Sequence, residues 1–103
     1  MIITNIDYIP EKEIKEHLGL VSGSTVRAKH FGKDLLSGIK NIFGGELKAY
    51  TELLCESREE AIKRMEEQAH SLGADAIINV RFSTSSVSSG AAELYVYGTA
   101  VKI

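Results

Sequence analysis

Residues 46–72, which read ELKAYTELLCESREEAIKRMEEQAHSL, decide how this chain can fold. Apolar side chains recur in this stretch at the three- and four-residue spacing of a helix, while glutamates occupy the opposite side. The apolar positions are Leu47, Tyr50, Leu54, Ala61, Met65 and Leu72, flanked by Leu53, Ile62 and Ala69. Gly73 follows, where a left-handed residue commonly ends a helix. The pattern predicts one long amphipathic helix whose apolar stripe faces a core.

A shorter helical pattern precedes this one in residues 31–45, FGKDLLSGIKNIFGG. Its apolar positions are Phe31, Leu35, Ile39, Ile42 and Phe43. Gly44 and Gly45 close the pattern as a C-terminal stop. This stretch predicts a short helix.

The first predicted strand precedes the two helices in the sequence. Residues 13–27 predict a first strand, with Gly19 and Gly23 as bulge or bend positions. An apolar opening before it is expected to add an edge strand or a contact with a partner, through Ile2, Ile3 and Ile6.

The C-terminal third predicts two more strands. In residues 74–83, strict alternation places four apolar residues on one face, namely Ala76, Ile78, Val80 and Phe82. The last strand covers residues 91–103, where Gly98 and Ala100 are small enough for a helix to approach closely. The Ser-rich residues 84–90 between the two strands predict a loop.

The order of these elements is strand, short helix, long helix, strand, strand, and it predicts an α+β fold. The last two strands should pair as an antiparallel hairpin, and the first strand must join them to bury its apolar side. The result is a two-layer sandwich in which a small antiparallel sheet packs on one long and one short helix. Residues 1–103 are expected to form a single domain.

The bulk composition argues against several functional classes. The 12 Lys+Arg against 14 Asp+Glu leave a net charge of -2, so we expect no nucleic-acid partner. No apolar window approaches about 18 residues, so no membrane partner is expected either. A single cysteine excludes an internal disulfide, and the first residues lack the pattern of a signal peptide. We therefore expect a cytoplasmic protein.

Three features predict that the chain forms a homo-oligomer. A helix over residues 46–72 is about 40 Å long, which exceeds the roughly 34 Å diameter of a domain of this length. A three-stranded sheet leaves unpaired edges. The final strand also presents a second apolar face that the helices cannot bury, formed by Tyr95, Tyr97, Val101 and Ile103. The alternative is a monomer with an amphipathic sheet back.

The sequence contains no recognisable catalytic motif. Residues 19–23, GLVSG, lack the spacing of a nucleophile elbow, and Gly44-Gly45 lacks that of a P-loop. No histidine follows His70 to activate a hydroxyl of the Ser-rich stretch. We therefore expect no catalytic residues and no enzymatic activity.

Metal binding is the chemistry that the sequence leaves open, and its candidate ligands are Cys55, His30 and His17. Cys55 with Glu52 or Glu59 offers a thiolate and a carboxylate about one helical turn apart. Two ligands do not hold an ion tightly, so such a site needs copies from several subunits around a symmetry axis. The competing interpretation makes Cys55 a small apolar residue at a helix–sheet or subunit contact. His70, opposite the apolar stripe, is expected at the surface.

Three separated blocks of the chain resemble the YbjQ-like family of prokaryotes. They are GLVSGSTVRAKHFGKDLLSGIKNIFGGELKAYTELL at residues 19–54, LGADAIINVRF at 72–82 and YGTAVKI at 97–103. The family is described as heavy-metal-binding, and the resemblance implies a dodecin-like fold and a homopentamer. It implies no set of ligand residues, and Cys55 lies outside the recognisable motif.

Together, these observations predict an oligomeric binding domain for a heavy-metal ion or another small ligand at inter-subunit sites. The alternative is a structural or interaction ring, an adaptor or scaffold, that holds no ligand. The expected partner is the chain itself, as a pentamer or a stacked pair of pentamers.

Overall fold

A computed structural model of the chain describes residues 1–27, 46–88 and 91–103. In chain order the elements are β1 (Ile2–Ile3), β2 (Glu16–Arg27), α1 (Glu46–Ser71), β3 (Ala76–Ser88) and β4 (Ala91–Lys102). The short helix predicted over residues 31–45, and the candidate ligand His30, lie outside the described residues.

The strands form one sheet in the order β1-β3-β4-β2, with α1 packed mainly over β2 and β4. The two long pairings, β3–β4 and β2–β4, are antiparallel as predicted. The sheet is nevertheless mixed, because β1 pairs parallel to β3, with Ile2 opposite Ala76. The prediction of a purely antiparallel sheet is therefore wrong, and the apolar opening does add an edge strand. The first residues of the chain run parallel to β3, so β1 and β3 do not form an antiparallel hairpin.

Helix α1 is unbroken over 26 residues, close to the predicted limits. Among its described side chains, the fully buried ones follow every fourth position and are Ser57, Ala61, Met65 and Ala69. The predicted core residues Leu54 and Leu72 are instead 41% and 44% exposed. Three of these four side chains are small, so the backbone of the helix approaches the sheet closely.

The closest approach of helix and sheet occurs at Gly23 of β2. A Cβ atom at this position would lie 2.6 Å from the backbone N of Met65 and closer still to the carbonyl oxygen of Ala61. Gly23 is therefore not the bulge or bend that the sequence suggested. Gly19 is the bulge, since its φ is +121° and the β2–β4 register shifts between His17 and Gly19.

Position 98 requires a glycine because of the neighbouring strand, and not because of the helix as predicted. A Cβ atom there would lie 2.7 Å from Ile77 Cγ2 and 2.9 Å from the carbonyl oxygen of Ile78, both on β3. The neighbouring strand thus occupies the space that we had assigned to the helix.

A bulge in β3 reverses the predicted alternation of its side chains. The register with β4 shifts between Ile78 and Arg81, and Asn79 adopts a left-handed φ of 54°. Ile78 consequently packs in the cluster behind the sheet, while Val80 packs under the helix. The prediction that Ala76, Ile78, Val80 and Phe82 share one face is wrong, because one extra residue changes the face of everything after it.

We expect that replacing Asn79 with valine lowers the free energy of unfolding by about 1–2 kcal/mol, because β-branched side chains fit the left-handed region poorly. Asn79→Gly is the matched control and should change stability by less than about 0.5 kcal/mol, since glycine adopts that region freely. Urea unfolding measures both variants. A valine variant as stable as the glycine variant would contradict the importance of this bulge.

The Ser-rich stretch is a strand, not the predicted loop, at least as far as Ser88. Thr84 lies opposite Leu94 and Ser85 opposite Glu93, so β3 and β4 pair almost to the hairpin tip. The polar composition misled the prediction because tertiary pairing overrides the weak intrinsic preference of serine.

The back of the sheet is covered in part by the N-terminal segment. Ile9 packs on Ala76, Ile78 and Val101 there, with Ile14 and Ile103 partly buried beside them. Val101, which we expected to be left uncovered, is 0% exposed within this single chain. Tyr95 and Tyr97 stack on each other with ring centroids 5.5 Å apart and remain partly exposed. This face therefore argues for self-association less than the sequence suggested.

Candidate functional site

Cys55, the first of the predicted metal ligands, lies in the N-terminal half of α1 and is a free, half-buried thiol. Its Sγ atom accepts a hydrogen bond from Nη2 of Arg58, at 3.1 Å. Glu52 and Glu59, one turn to either side, are both exposed. The helix thus offers a thiol and two carboxylates on an accessible surface.

His17 lies far from Cys55 and cannot share an ion with it inside one subunit. Thr25 Oγ1 donates to the carbonyl oxygen of Ser57 at 3.3 Å, which places the Cys55 end of the helix over the far end of β2. His17 is exposed and precedes Thr25 by eight residues, which corresponds to about 26 Å along a strand. His70 is exposed in the last turn of α1, as predicted.

The described part of one chain does not provide a metal site. A tightly held soft metal ion takes three or four protein ligands. Within residues 1–27, 46–88 and 91–103, no group of three or more His, Cys, Asp or Glu side chains is placed to hold an ion. Cys55 and His17 are both present there, but the described residues of one chain do not bring them together.

An open groove of about 410 Å³ lies between α1 and the β1–β3 edge. Its lining is mostly apolar and comprises Ile3, Thr4, Asn5, Ile62, Val80, Arg81 and Phe82. Nη1 of Arg81 donates to the carbonyl oxygens of Asn5, at 2.7 Å, and Val80, at 3.0 Å. These bonds fix the guanidinium at the rim of the groove. Phe82, beside it, is 46% exposed.

Sequence reasoning missed this groove because it depends on two tertiary features. β1 enters the sheet beside β3, and the bulge at Asn79 turns Val80 and Phe82 toward the helix side. Helix α1 lies mainly over β2 and β4, so it buries Val80 at the margin of the core but leaves Phe82 46% exposed. The apolar residues around Ile3 at the start of the chain are the one feature of the sequence that points to this groove.

Within the part of the chain that the structure describes, no helix has both the length and the apolar character needed to cross a membrane.

Comparison with solved structures supports this architecture. The structure of a protein of unknown function from Pediococcus pentosaceus, assigned to the DUF74 family, is similar with a TM-score of 0.65. It covers 100% of this chain and 97% of the other at 19% sequence identity. At that identity, the likeness concerns the fold alone.

Sequence relatives are much closer and come from both bacteria and archaea. A UPF0145 protein from Hahella chejuensis is 66% identical over 101 residues, covering 98% of this chain and 97% of the relative. One from Archaeoglobus fulgidus is 56% identical over 103 residues, covering 100% and 95%. All of residues 1–103 match the YbjQ-like family, whose description reads "Putative heavy-metal-binding". The chain therefore belongs to the YbjQ-like family, as the three sequence blocks indicated.

Proposed function

We propose that this chain is a homo-oligomeric binding domain that takes a soft metal ion between subunits, with Cys55 as the ligand from each contributing copy. The observation that carries the proposal is an accessible thiol on α1 with carboxylates a turn away, in a chain whose described residues hold no complete site. The description of the family supports the choice of a metal ion as the ligand.

A site shared between subunits follows from the number of ligands. Each copy supplies the thiol of Cys55 and one carboxylate from Glu52 or Glu59, and a second copy doubles this set to four. In the ring of five subunits that the family resemblance implies, neighbours meet head to tail, so equivalent Cys55 side chains would come together at the five-fold axis. A reducing, cytoplasmic setting would keep the thiol free for a metal ion. We propose binding, not catalysis, as the activity.

The test is metal binding by protein purified without chelators or a metal-binding tag. Native mass spectrometry with added zinc or cadmium is expected to give a five-subunit species that carries bound metal. Cys55→Ser should weaken the affinity by at least about tenfold, because the thiolate is the softest ligand in the set. His17→Ala and His30→Ala test the two remaining candidate ligands in the same titration.

His70→Ala is the matched control, since His70 is exposed on the same helix but lies in its last turn. It should leave the affinity unchanged. A five-subunit species that takes up no metal would contradict the binding function and leave a structural or interaction ring. Equal affinities for the wild type and Cys55→Ser would remove Cys55 from the site.

A further inference from the structure

The groove between α1 and the β1–β3 edge has the size and lining of a small-molecule site. Its volume of about 410 Å³ lies near the lower end of the range, roughly 300–1,000 Å³, in which proteins hold small ligands. Its apolar lining comes from three elements that meet there, through Ile3, Ile62, Val80 and Phe82. Ile3, Ile62 and Val80 also belong to the margin of the main core. A ligand in this groove would therefore bury an apolar body against the core.

Arg81 supplies a cation that is already held in place at the rim of this groove. Its Nη1 atom donates to the carbonyl oxygens of Asn5, at 2.7 Å, and Val80, at 3.0 Å, which uses the hydrogens of that nitrogen. The N–H groups on Nε and Nη2 lie along another edge of the same rigid plane, and this edge matches both oxygens of a carboxylate. Among the described residues, no carboxylate forms an ion pair with Arg81.

The backbone of β3 directs a second donor to the same edge of the sheet. The N–H of Val80 donates across this edge to the carbonyl oxygen of Thr4, at 3.1 Å. Alternate residues of a strand direct their N–H groups to the same side, and the register with β4 is regular from Arg81 to Phe82. The N–H of Phe82 is therefore directed to the edge at which the Arg81 guanidinium is held.

Charge and shape together select the chemical class of the ligand. Arg81 is the single charged side chain among the described residues that line the groove. The site thus favours one negative charge at the rim and an uncharged, apolar remainder. Phe82, which is 46% exposed, offers a ring on which another aromatic ring can pack. A compact, flat acid fits these features better than a long or highly charged molecule.

We infer that the groove binds a small aromatic carboxylate. Its ring packs on Phe82 and Ile62, and its carboxylate accepts hydrogen bonds from Nε and Nη2 of Arg81. The site adds a ligand to the metal ion of the proposed function and does not rest on that function. Ile62 follows Cys55 by seven residues on α1, so the two sites are about 10 Å apart along the helix axis.

Titration with naphthoate, followed by the fluorescence of the probe, tests the site in protein without added metal. The chain contains no tryptophan that would obscure this signal. The neutral amide of naphthoate is the matched ligand, because it has the same rings without the charge. We expect the wild type to bind naphthoate at least about tenfold more tightly than the amide, since a charge-assisted, bidentate contact with Arg81 is lost.

Three variants assign this preference to the groove. Arg81→Gln should bind naphthoate and its amide equally, whereas Phe82→Ala should weaken both by about fivefold through the lost ring contact. Lys63→Gln is the matched control, because Lys63 is an exposed cation next to Ile62 that does not line the groove. It should change the affinity by less than about twofold, since solvent screens a charge outside the site.

Arg81 also holds the carbonyl oxygen of Asn5, so thermal unfolding must show that each variant is folded. The comparison of naphthoate with its amide needs no variant and decides the role of the charge even if Arg81→Gln does not fold. No binding of naphthoate by the wild type would overturn the inference, as would equal affinities for the acid and the amide.

Two further outcomes would also contradict the site. Equal losses in Lys63→Gln and Arg81→Gln would show a general attraction for anions in place of a defined contact. Dissociation of subunits by Phe82→Ala, seen by native mass spectrometry, would make the groove a contact with a second copy of the chain. Metal uptake is measured in a separate titration through Cys55, so failure of either function leaves the other standing.

Discussion

Replacing Gly23 with alanine is expected to lower the free energy of unfolding by about 3 kcal/mol, at the upper end of typical overpacking costs. The added Cβ atom would lie 2.6 Å from the backbone N of Met65 and nearer still to the carbonyl of Ala61. These are backbone atoms of a helix and cannot rotate away as a flexible side chain would. The helix must lift from β2, which also separates Ala61 and Met65 from the core.

Urea or thermal unfolding measures this loss, and Ser24→Ala is the matched control. Ser24 is the next residue of β2, but it faces the other side of the sheet opposite Tyr95. Removing its hydroxyl group should lower the free energy of unfolding by less than about 0.5 kcal/mol. If Gly23→Ala were as stable as Ser24→Ala, the close contact between α1 and β2 would be wrong.

Truncating Met65 to alanine is expected to cost about 2–5 kcal/mol. Met65 is 0% exposed and, among the described side chains of the helix, is the one large member of the buried stripe, whose other described members are Ser57, Ala61 and Ala69. Its side chain fills the core between α1 and the residues Val21, Ile77, Val80 and Val96. Small neighbours leave little material to collapse into the cavity, so most of the lost packing stays lost.

The control for this prediction is Met65→Leu, which keeps the volume of the buried side chain and changes its shape. Met65→Leu should cost less than about 1.5 kcal/mol, because volume-conserving apolar exchanges are well tolerated. Unfolding curves of the two variants would decide the point. A leucine variant as unstable as the alanine variant would show that shape, not volume, controls this position.

Gly23 and Met65 also matter for the proposed function, because they hold α1 on the sheet. This helix carries both the Cys55 thiol and the side chain of Ile62 that lines the groove. A helix displaced from β2 would also release the Gln68 and Arg64 side chains from the edge that they cap. We therefore expect Gly23→Ala to expose the edge of β2 and to favour aggregation.

The sequence predicted the candidate ligands but not their separation. Cys55, His17 and His30 were chosen by residue type, and nothing in the local pattern indicates that β2 holds His17 about 26 Å from the Cys55 end of the helix. The groove around Phe82 could not be predicted either. It arises where a parallel edge strand meets a bulge, and both depend on pairing between residues far apart in the chain.

The sequence by itself determined the long helix, the last strand, the bulge at Gly19 and membership of the family. A helix is set by local periodicity and by a stop signal such as Gly73, and strand alternation is equally local. Only the tertiary structure decided which helix residues are buried, which face each residue of β3 takes, and which sheet edge the helix caps. The physical reason is that backbone approach at Gly23, the left-handed Asn79 and the capping of β2 by α1 all join residues that are distant in sequence.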